Sequence, residues 1–240
     1  MRQIRSLLFG LLWSVWTVGG FGLLILVLIL VRARPETVRA LSRVWARGVL
    51  FLLRWLTGIK HIVQGAEHLP TSPCLIVCNH QSAWETIAFL LLVPDVAIVT
   101  KIELLKIPVF GSYLKRSPMI PIDRDSGSKA IRKMIEDGQA AVRAGRSILI
   151  FPEGTRQAPG SKIEFKRGVE LLASKLGVPI LPVAMNSGEY WLPGRQSKKS
   201  GVIVLHVLPA IPATTRAKDA IAQAETAIQS ALDRITPRAT

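Results

Sequence analysis

Pro73-Cys74-Leu75-Ile76-Val77-Cys78-Asn79-His80-Gln81-Ser82-Ala83-Trp84-Glu85-Thr86-Ile87-Ala88-Phe89-Leu90-Leu91-Leu92 is the stretch whose reading decides the fold. Residues 75–78 form a short apolar run, the length and composition of a strand buried on both faces. Polar residues 79–82 follow, and 85–92 is apolar enough for a helix packed on a sheet. Strand, turn and helix in that order is the repeating unit of a layered α/β protein, and the strand's carboxyl end is where such sheets place ligands.

Working outward, further apolar runs stand at 96–100, 119–122, 148–151, 179–184 and 202–208. Between them the pattern predicts helices over 104–114, 128–144 and 165–176, with Gly145 and Gly177 as stop signals. A last helix is expected over 215–235, where Ile221, Ala224, Ile228, Leu232 and Ile235 share one face. The expected fold is therefore α/β, a mixed sheet flanked by helices, without internal repeats or low-complexity tracts.

Upstream of the sheet the composition changes. No charged residue lies between Arg5 and Arg32, and 11–31 is almost entirely apolar. As a helix it would be about 30 Å long, close to the hydrocarbon thickness of a bilayer. The run ends in Val31-Arg32-Ala33-Arg34-Pro35, with no small-residue cleavage site, so it reads as a retained hydrophobic membrane helix. It can span the bilayer or tilt within one leaflet. In 36–58, Arg39, Arg43, Arg47 and Arg54 follow one stripe and Leu41, Trp45, Leu52 and Leu56 another, predicting a basic amphipathic helix. It can lie on a membrane, pack on the protein core, or do both on different faces. Residues 1–58 are thus expected to be a membrane-anchoring two-helix region, and 59–240 the α/β domain. Arg32, Arg34, Arg39, Arg43 and Arg47 follow the apolar run while only Arg2 and Arg5 precede it, which places the α/β domain on the cytoplasmic side of the cytoplasmic membrane.

The 240 residues carry 31 Lys and Arg against 16 Asp and Glu, a formal charge of +15, so a polyanionic partner is expected: nucleic acid, anionic lipid headgroups or a phosphorylated substrate. The α/β region lacks aromatic residues interleaved with basic ones, and the anchor favours lipid, so nucleic acid is not expected. A non-catalytic basic membrane-binding module fits the charge equally well. Cys74 and Cys78 would sit about 13 Å apart along one strand, too far to pair, and read as small buried hydrophobes in a reducing setting. The four histidines are scattered and no metal is expected. A Gly-x-Ser-x-Gly elbow and a phosphate loop ending in Gly-Lys-Ser/Thr are both absent, which argues against a serine hydrolase and a nucleotide phosphotransferase.

Of the histidines, only His80 directly follows a buried strand and precedes a helix; His61 and His68 fall in a turn-like linker and His206 within a strand. Glu85 could meet His80 across the turn. A carboxylate on one imidazole nitrogen fixes the tautomer and leaves the other nitrogen to take a proton from a hydroxyl. Glu85 also suits a helix N-terminus for electrostatic reasons alone. Phe151-Pro152-Glu153-Gly154-Thr155-Arg156 follows another strand, with Gly154 relaxing the backbone beside a hydroxyl and a guanidinium, as in a phosphate or oxyanion loop. Arg124 and Lys101 stand just beyond two further strands, so several cations converge toward one edge of the sheet.

The blocks 79–85, Lys101-Ile102-Glu103-Leu104 leading through Gly111 to Ile122-Asp123-Arg124, 151–156, and Val178-Pro179-Ile180-Leu181-Pro182-Val183-Ala184 occur in the order seen in the glycerolipid acyltransferases. The chain resembles that family, in particular the bacterial 1-acyl-glycerol-3-phosphate acyltransferases, over about 73–184. The resemblance implies that His80, oriented by Glu85, deprotonates the free hydroxyl of lysophosphatidic acid, which attacks an acyl thioester of acyl carrier protein or coenzyme A without an acyl-enzyme or a cofactor. It implies that Arg124, Glu153, Gly154, Thr155 and Arg156 bind or organise the acceptor's phosphate, with Glu153 orienting a basic neighbour. Lys101 becomes the oxyanion candidate and Pro179 a shaper of the acyl site. Acceptors other than lysophosphatidic acid, such as glycerol-3-phosphate or another lyso-lipid, remain open. The family's usual partner of the histidine is aspartate; this chain carries Glu85, one methylene longer.

Overall fold

The computed structural model describes residues 1–123, 126–192 and 198–236. In chain order these form α1 (Arg2–Ser14), α2 (Leu23–Leu30), α3 (Pro35–Thr57), β1 (Ile59–Gln64), β2 (Leu75–Cys78), α4 (Trp84–Leu92), β3 (Ala97–Lys101), α5 (Phe110–Arg116), β4 (Ile120–Ile122), α6 (Gly127–Arg143), β5 (Ile148–Ile150), α7 (Gly168–Leu176), β6 (Ile180–Met185), β7 (Gly201–Val207) and α8 (Ala217–Ile235).

The strands make one mixed sheet in the order β1-β7-β6-β2-β5-β3-β4. β2 lies near its centre, parallel to β5 and β6, with Leu75 opposite both Ile148 and Ile180. β7 runs antiparallel to β6 and pairs in parallel with β1. Helices cover both faces, which explains why β2 has no polar side chain: Ile76 and Cys78 join the cluster that includes α3 and α4, while Leu75 and Val77 join the one built with α6, α7 and α8. Cys74 and Cys78 are free thiols in that core, and burial drives the Cys74 thiol up to about 11.

Two elements differ from the sequence reading. β1 is a strand where a linker was expected; as an edge strand with Lys60 and His61 exposed, it lacks the apolar run that marks a buried strand. The helix expected over 104–114 is interrupted. A short 3₁₀ turn, Ile102–Lys106, gives way at Ile107-Pro108-Val109 before α5 starts. Pro108 disfavours helical geometry at the residue before it, and Val109 sits at φ 63°, a costly position for a β-branched residue.

At the N-terminus α1 and α2 are joined by a π-helical stretch, Val15–Gly22, into one rod, Arg2–Leu30, with mean hydropathy 2.2 and only 11% of its most apolar window buried. Both ends of the rod touch the α/β domain. Near the start, Arg2 Nε donates to the Lys198 carbonyl (3.0 Å), and Phe9 and Trp13 pack edge-on against Trp191. At the far end, Arg116 donates to the carbonyls of Ile29 and Ala33 (3.0 and 3.3 Å), the first of which also accepts from Arg32 N (3.1 Å).

α3 is amphipathic, but its arginines do not form one solvated stripe. Arg39 is buried, and both Arg39 and Arg43 pair with Asp95 on the α/β domain (3.1 and 3.0 Å). Arg47 and Arg54 remain exposed beside the exposed apolar side chains Val44, Phe51 and Trp55. Arg146, 5% exposed, donates to four backbone carbonyls, those of Asp95, Val96, Ser117 and Pro118 (2.7 to 3.2 Å), fastening the segments that enter β3 and β4. Arg146→Met should destabilise the fold by about 3 kcal/mol, because hydrogen bonds to a charged donor are lost and buried carbonyls are orphaned. Thermal denaturation of the detergent-solubilised protein reads the loss; a melting temperature equal to wild type would refute this account.

Candidate active site

The loop after β2 places its polar residues by a ladder of bonds to the loop after β6. Asn79 Nδ2 donates to the Met185 carbonyl and Asn79 Oδ1 accepts from Met185 N, both at 2.9 Å. Gly188 N donates to Gln81 Oε1 (3.1 Å). A Cβ on Gly188 would come within 2.9 Å of both Gln81 and Pro159, so the two loops approach this closely only because no side chain stands there.

Between these ties, His80 Nδ1 lies 3.2 Å from Glu85 Oε1. Glu85 is 0% exposed, yet its oxygens are fully supplied with donors. Oε1 also accepts from Gln81 N and Ser82 N (2.6 Å each), and Oε2 from the hydroxyls of Ser82 (2.6 Å) and Ser187 (2.8 Å). Burial works to raise the carboxyl pKa, and the His80 hydrogen bond and charge, with the Ser82 contacts, more than offset it, so the pKa lies below its usual value. An ionised carboxylate only accepts, so His80 Nδ1 carries the proton and Nε2 is left free to act. The bonds from Glu85 back to Ser82 N, and from Trp84 N to Ser82 Oγ (3.0 Å), also cap α4. Glu85 therefore serves both readings the sequence offered, an acidic residue in the first turn of a helix and the partner of the histidine. From the second position of α4 its carboxylate reaches back to the loop.

The imidazole stacks on Phe151 (centroids 4.1 Å apart, 19° between planes) and borders a cavity of about 970 Å³. The cavity wall carries His80, Lys101, Thr155, Arg156 and Lys166, is otherwise largely apolar, including Leu90, Phe110, Met119 and Met134, and takes in Trp45 on α3. Parallel strands bring Lys101, the last residue of β3, and Arg156, after β5, to the same end of the sheet as His80. Gly154, at φ 73°, lines it too, and a Cβ there would press to 3.0 Å from Lys166 Nζ.

Three expected site residues are placed otherwise or not at all. Pro179 precedes β6 at the opposite end of the sheet, its carbonyl bonded to Leu75 N (2.9 Å), and is absent from the cavity wall. The cause is register: a residue entering a parallel strand sits a full strand length from one leaving its neighbour. Among the described residues, Glu153 pairs with no cation. It is 3% exposed, its Oε1 accepts from the backbone N of His80 (2.8 Å), and Oε2 is buried with no hydrogen-bond partner among the described residues. Arg124 lies outside the described residues. Conversely, Ser82, Ser187 and Lys166 were missed. Ser82-x-x-Glu85 is a capping-box spacing that could have revealed the first, and Phe165-Lys166-Arg167-Gly168 the third; Ser187 has no local signal.

Burial, with the charge of Glu85 adding to it, raises the Glu153 pKa to about 7 from 4.5. The folded state therefore holds this proton more tightly than the unfolded chain, and its contribution to stability is lost as pH rises from about 4.5 to about 7, the reverse of an ordinary buried-pair carboxylate. Glu153→Gln keeps the acceptor for His80 N and cannot ionise. The stability difference, variant minus wild type, should grow between about pH 5 and about pH 7.5; a difference independent of pH would contradict the assignment.

The Acyltransferase family model matches residues 60–186, more than half of the chain and every residue of the site from His80 to Arg156. The chain belongs to the acyltransferase family. A 1-acyl-sn-glycerol-3-phosphate acyltransferase of Pseudomonas aeruginosa is 35% identical over 245 aligned positions, covering 99% of this acyltransferase and 93% of that one. The human 1-acyl-sn-glycerol-3-phosphate acyltransferase alpha is 34% identical over 169 positions, 69% of this chain and 60% of its own. The crystal structure of the 1-acyl-sn-glycerophosphate (LPA) acyltransferase PlsC from Thermotoga maritima superposes over 100% of both chains with a TM-score of 0.80 at 24% identity, which establishes the fold.

Proposed function

We propose that this acyltransferase moves a fatty acyl group from the thioester of acyl carrier protein or coenzyme A to the sn-2 hydroxyl of 1-acyl-glycerol-3-phosphate, lysophosphatidic acid, giving phosphatidic acid for phospholipid synthesis. The observation that carries the reading is one cavity whose wall combines His80, backed by the buried Glu85 carboxylate, with cationic side chains and a larger apolar lining. Those three chemistries match an acceptor with a hydroxyl, a phosphate and an acyl chain. Arg156 and Lys166 would take the phosphate, with Thr155 and the relaxed backbone at Gly154, while the apolar wall would take an acyl chain.

His80 Nε2 removes the hydroxyl proton as the oxygen attacks the thioester carbonyl. Glu85 stabilises the imidazolium that results, and Lys101, which lines the same cavity, would meet the tetrahedral oxyanion. Collapse expels the thiolate, which takes the proton back from His80, so the enzyme ends unchanged.

The lipid acceptor, and the arginines that follow the apolar run, support a place at the cytoplasmic membrane with the α/β domain facing the cytoplasm and its soluble thioesters. The apolar rod is about 43 Å long, enough to cross a bilayer, but its two ends are both held on the α/β domain, so it lies along the domain and dips into one leaflet. Exposed Phe51 and Trp55, flanked by Arg47 and Arg54, extend the same lipid-facing surface.

The test is acyl transfer by the purified, lipid-reconstituted protein, offered lysophosphatidic acid, lysophosphatidylcholine or glycerol-3-phosphate with each thioester. Lysophosphatidic acid should be the preferred acceptor by a wide margin. Preference for either of the others would reassign the acceptor, and transfer to none would leave a membrane-binding module.

A further inference from the structure

Resting on that reading, we propose that Ser187 is a positioning residue for the Glu85 carboxylate, and that the turn Ser187–Trp191 makes its placement depend on the seating of the N-terminal apolar helix.

Ser187 is fully buried, and its hydroxyl has two close partners: it donates to Glu85 Oε2 (2.8 Å) and lies 3.0 Å from the Ser82 hydroxyl. Glu85 is reached by three groups of its own loop, Gln81 N, Ser82 N and Ser82 Oγ, all of which move with it. Ser187 is different. It arrives from beyond β6, 102 residues away in sequence, and so references the carboxylate to the sheet rather than to the helix it caps.

The same residue begins a tight turn. Its carbonyl accepts from Trp191 N (2.9 Å) and from Tyr190 N (3.2 Å), so the Trp191 indole and the Ser187 hydroxyl are carried by one short hydrogen-bonded unit. Trp191 faces the membrane helix: its ring meets Phe9 at 5.6 Å and Trp13 at 5.4 Å, both nearly perpendicular, and the Lys198 ammonium lies 5.1 Å from its centroid and 4.9 Å from that of Phe9. Lys198 N in turn donates to Ser6 Oγ (2.9 Å). Aromatic packing of this geometry is directional, so a helix that shifts along the domain must move Trp191 or lose it. A single turn thereby joins the part of the chain that meets lipid to the oxygen that orients the base.

The consequence is a pH signature. Among the described residues, the ionisable groups around Glu85 are His80, Glu153 and Cys78. Removing the Ser187 donor withdraws stabilisation from the ionised carboxylate, so the pair should acquire its inactivating proton at higher pH. Packing loss alone would lower stability without moving that limb.

The experiment uses the full chain in lipid, with lysophosphatidic acid and a thioester, and records kcat, KM and the pH profile of kcat/KM. Ser187→Ala should lower kcat about tenfold, leave the acceptor KM within about twofold and move the acid limb to higher pH, with Ser187→Cys, a weaker donor, between it and wild type. Trp191→Ala should reproduce the kcat loss and the displaced limb, and the double variant should be no worse than Ser187→Ala alone. An unmoved acid limb in Ser187→Ala would overturn the positioning role, and multiplying losses in the double variant would overturn the link to the helix. Wild-type protein inactive toward lysophosphatidic acid would instead overturn the proposed function beneath both.

Discussion

Glu85→Gln should lower kcat by about 10³- to 10⁴-fold with little change in the KM of the acceptor, as expected for loss of a carboxylate that stabilises an imidazolium. The substitution is a clean one because the surroundings decide how the amide sits. Oε1 faces two backbone N–H groups, donors that cannot reverse, so the amide carbonyl must occupy that side and His80 Nδ1 still meets an oxygen. The NH₂ then meets the Ser82 and Ser187 hydroxyls, which can rotate to accept. Geometry is kept while the charge is removed. The cap on α4 survives through the carbonyl, so the cost to folding should stay near 1 kcal/mol. Steady-state acyl transfer and a melting curve on the same preparation separate the two effects. Turnover close to wild type would show that Glu85 is only a helix cap.

His80→Ala should reduce turnover by about 10⁴-fold or more, since both the proton acceptor and the group that returns the proton are removed. The fold should tolerate it: the bond to Glu153 is made by the backbone N of residue 80, and the ring borders the cavity rather than the core. Residual transfer would reflect the substrates held together in the cavity. Activity within tenfold of wild type would exclude His80 as the base.

The strand–turn–helix stretch 75–92 was legible because burial on both faces leaves no polar residue in β2, a pattern visible in one dimension. The convergence of His80 and Glu85 was legible for a related reason, since the turn between them is local. β1 was not, because an edge strand with exposed Lys60 and His61 carries no apolar run. Pro179 was misplaced because motif order does not tell which end of a parallel strand a residue occupies. Arg39 read as a surface cation, yet the Asp95 that draws it into the protein is 56 positions away in sequence and nothing near Arg39 announces it. Ser187 and Lys166 share that limit: one is brought in by β6, the other by the loop before α7, and only their arrival in three dimensions gives them a role.

The ties that assemble the site are also its longest loops. His80 N reaches Glu153 across 73 residues, Asn79 reaches Met185 across 106, and Gly188 reaches Gln81 across 107. Closing loops of this length costs chain entropy that local contacts do not return, and non-local pairings of this kind are slow to form. The base and its carboxylate therefore acquire their geometry only when β2, β5 and β6 have registered together. A nascent or partly folded chain already inserted by its apolar rod has no competent base to turn on the surrounding lipid, and catalytic competence becomes a readout of completed folding.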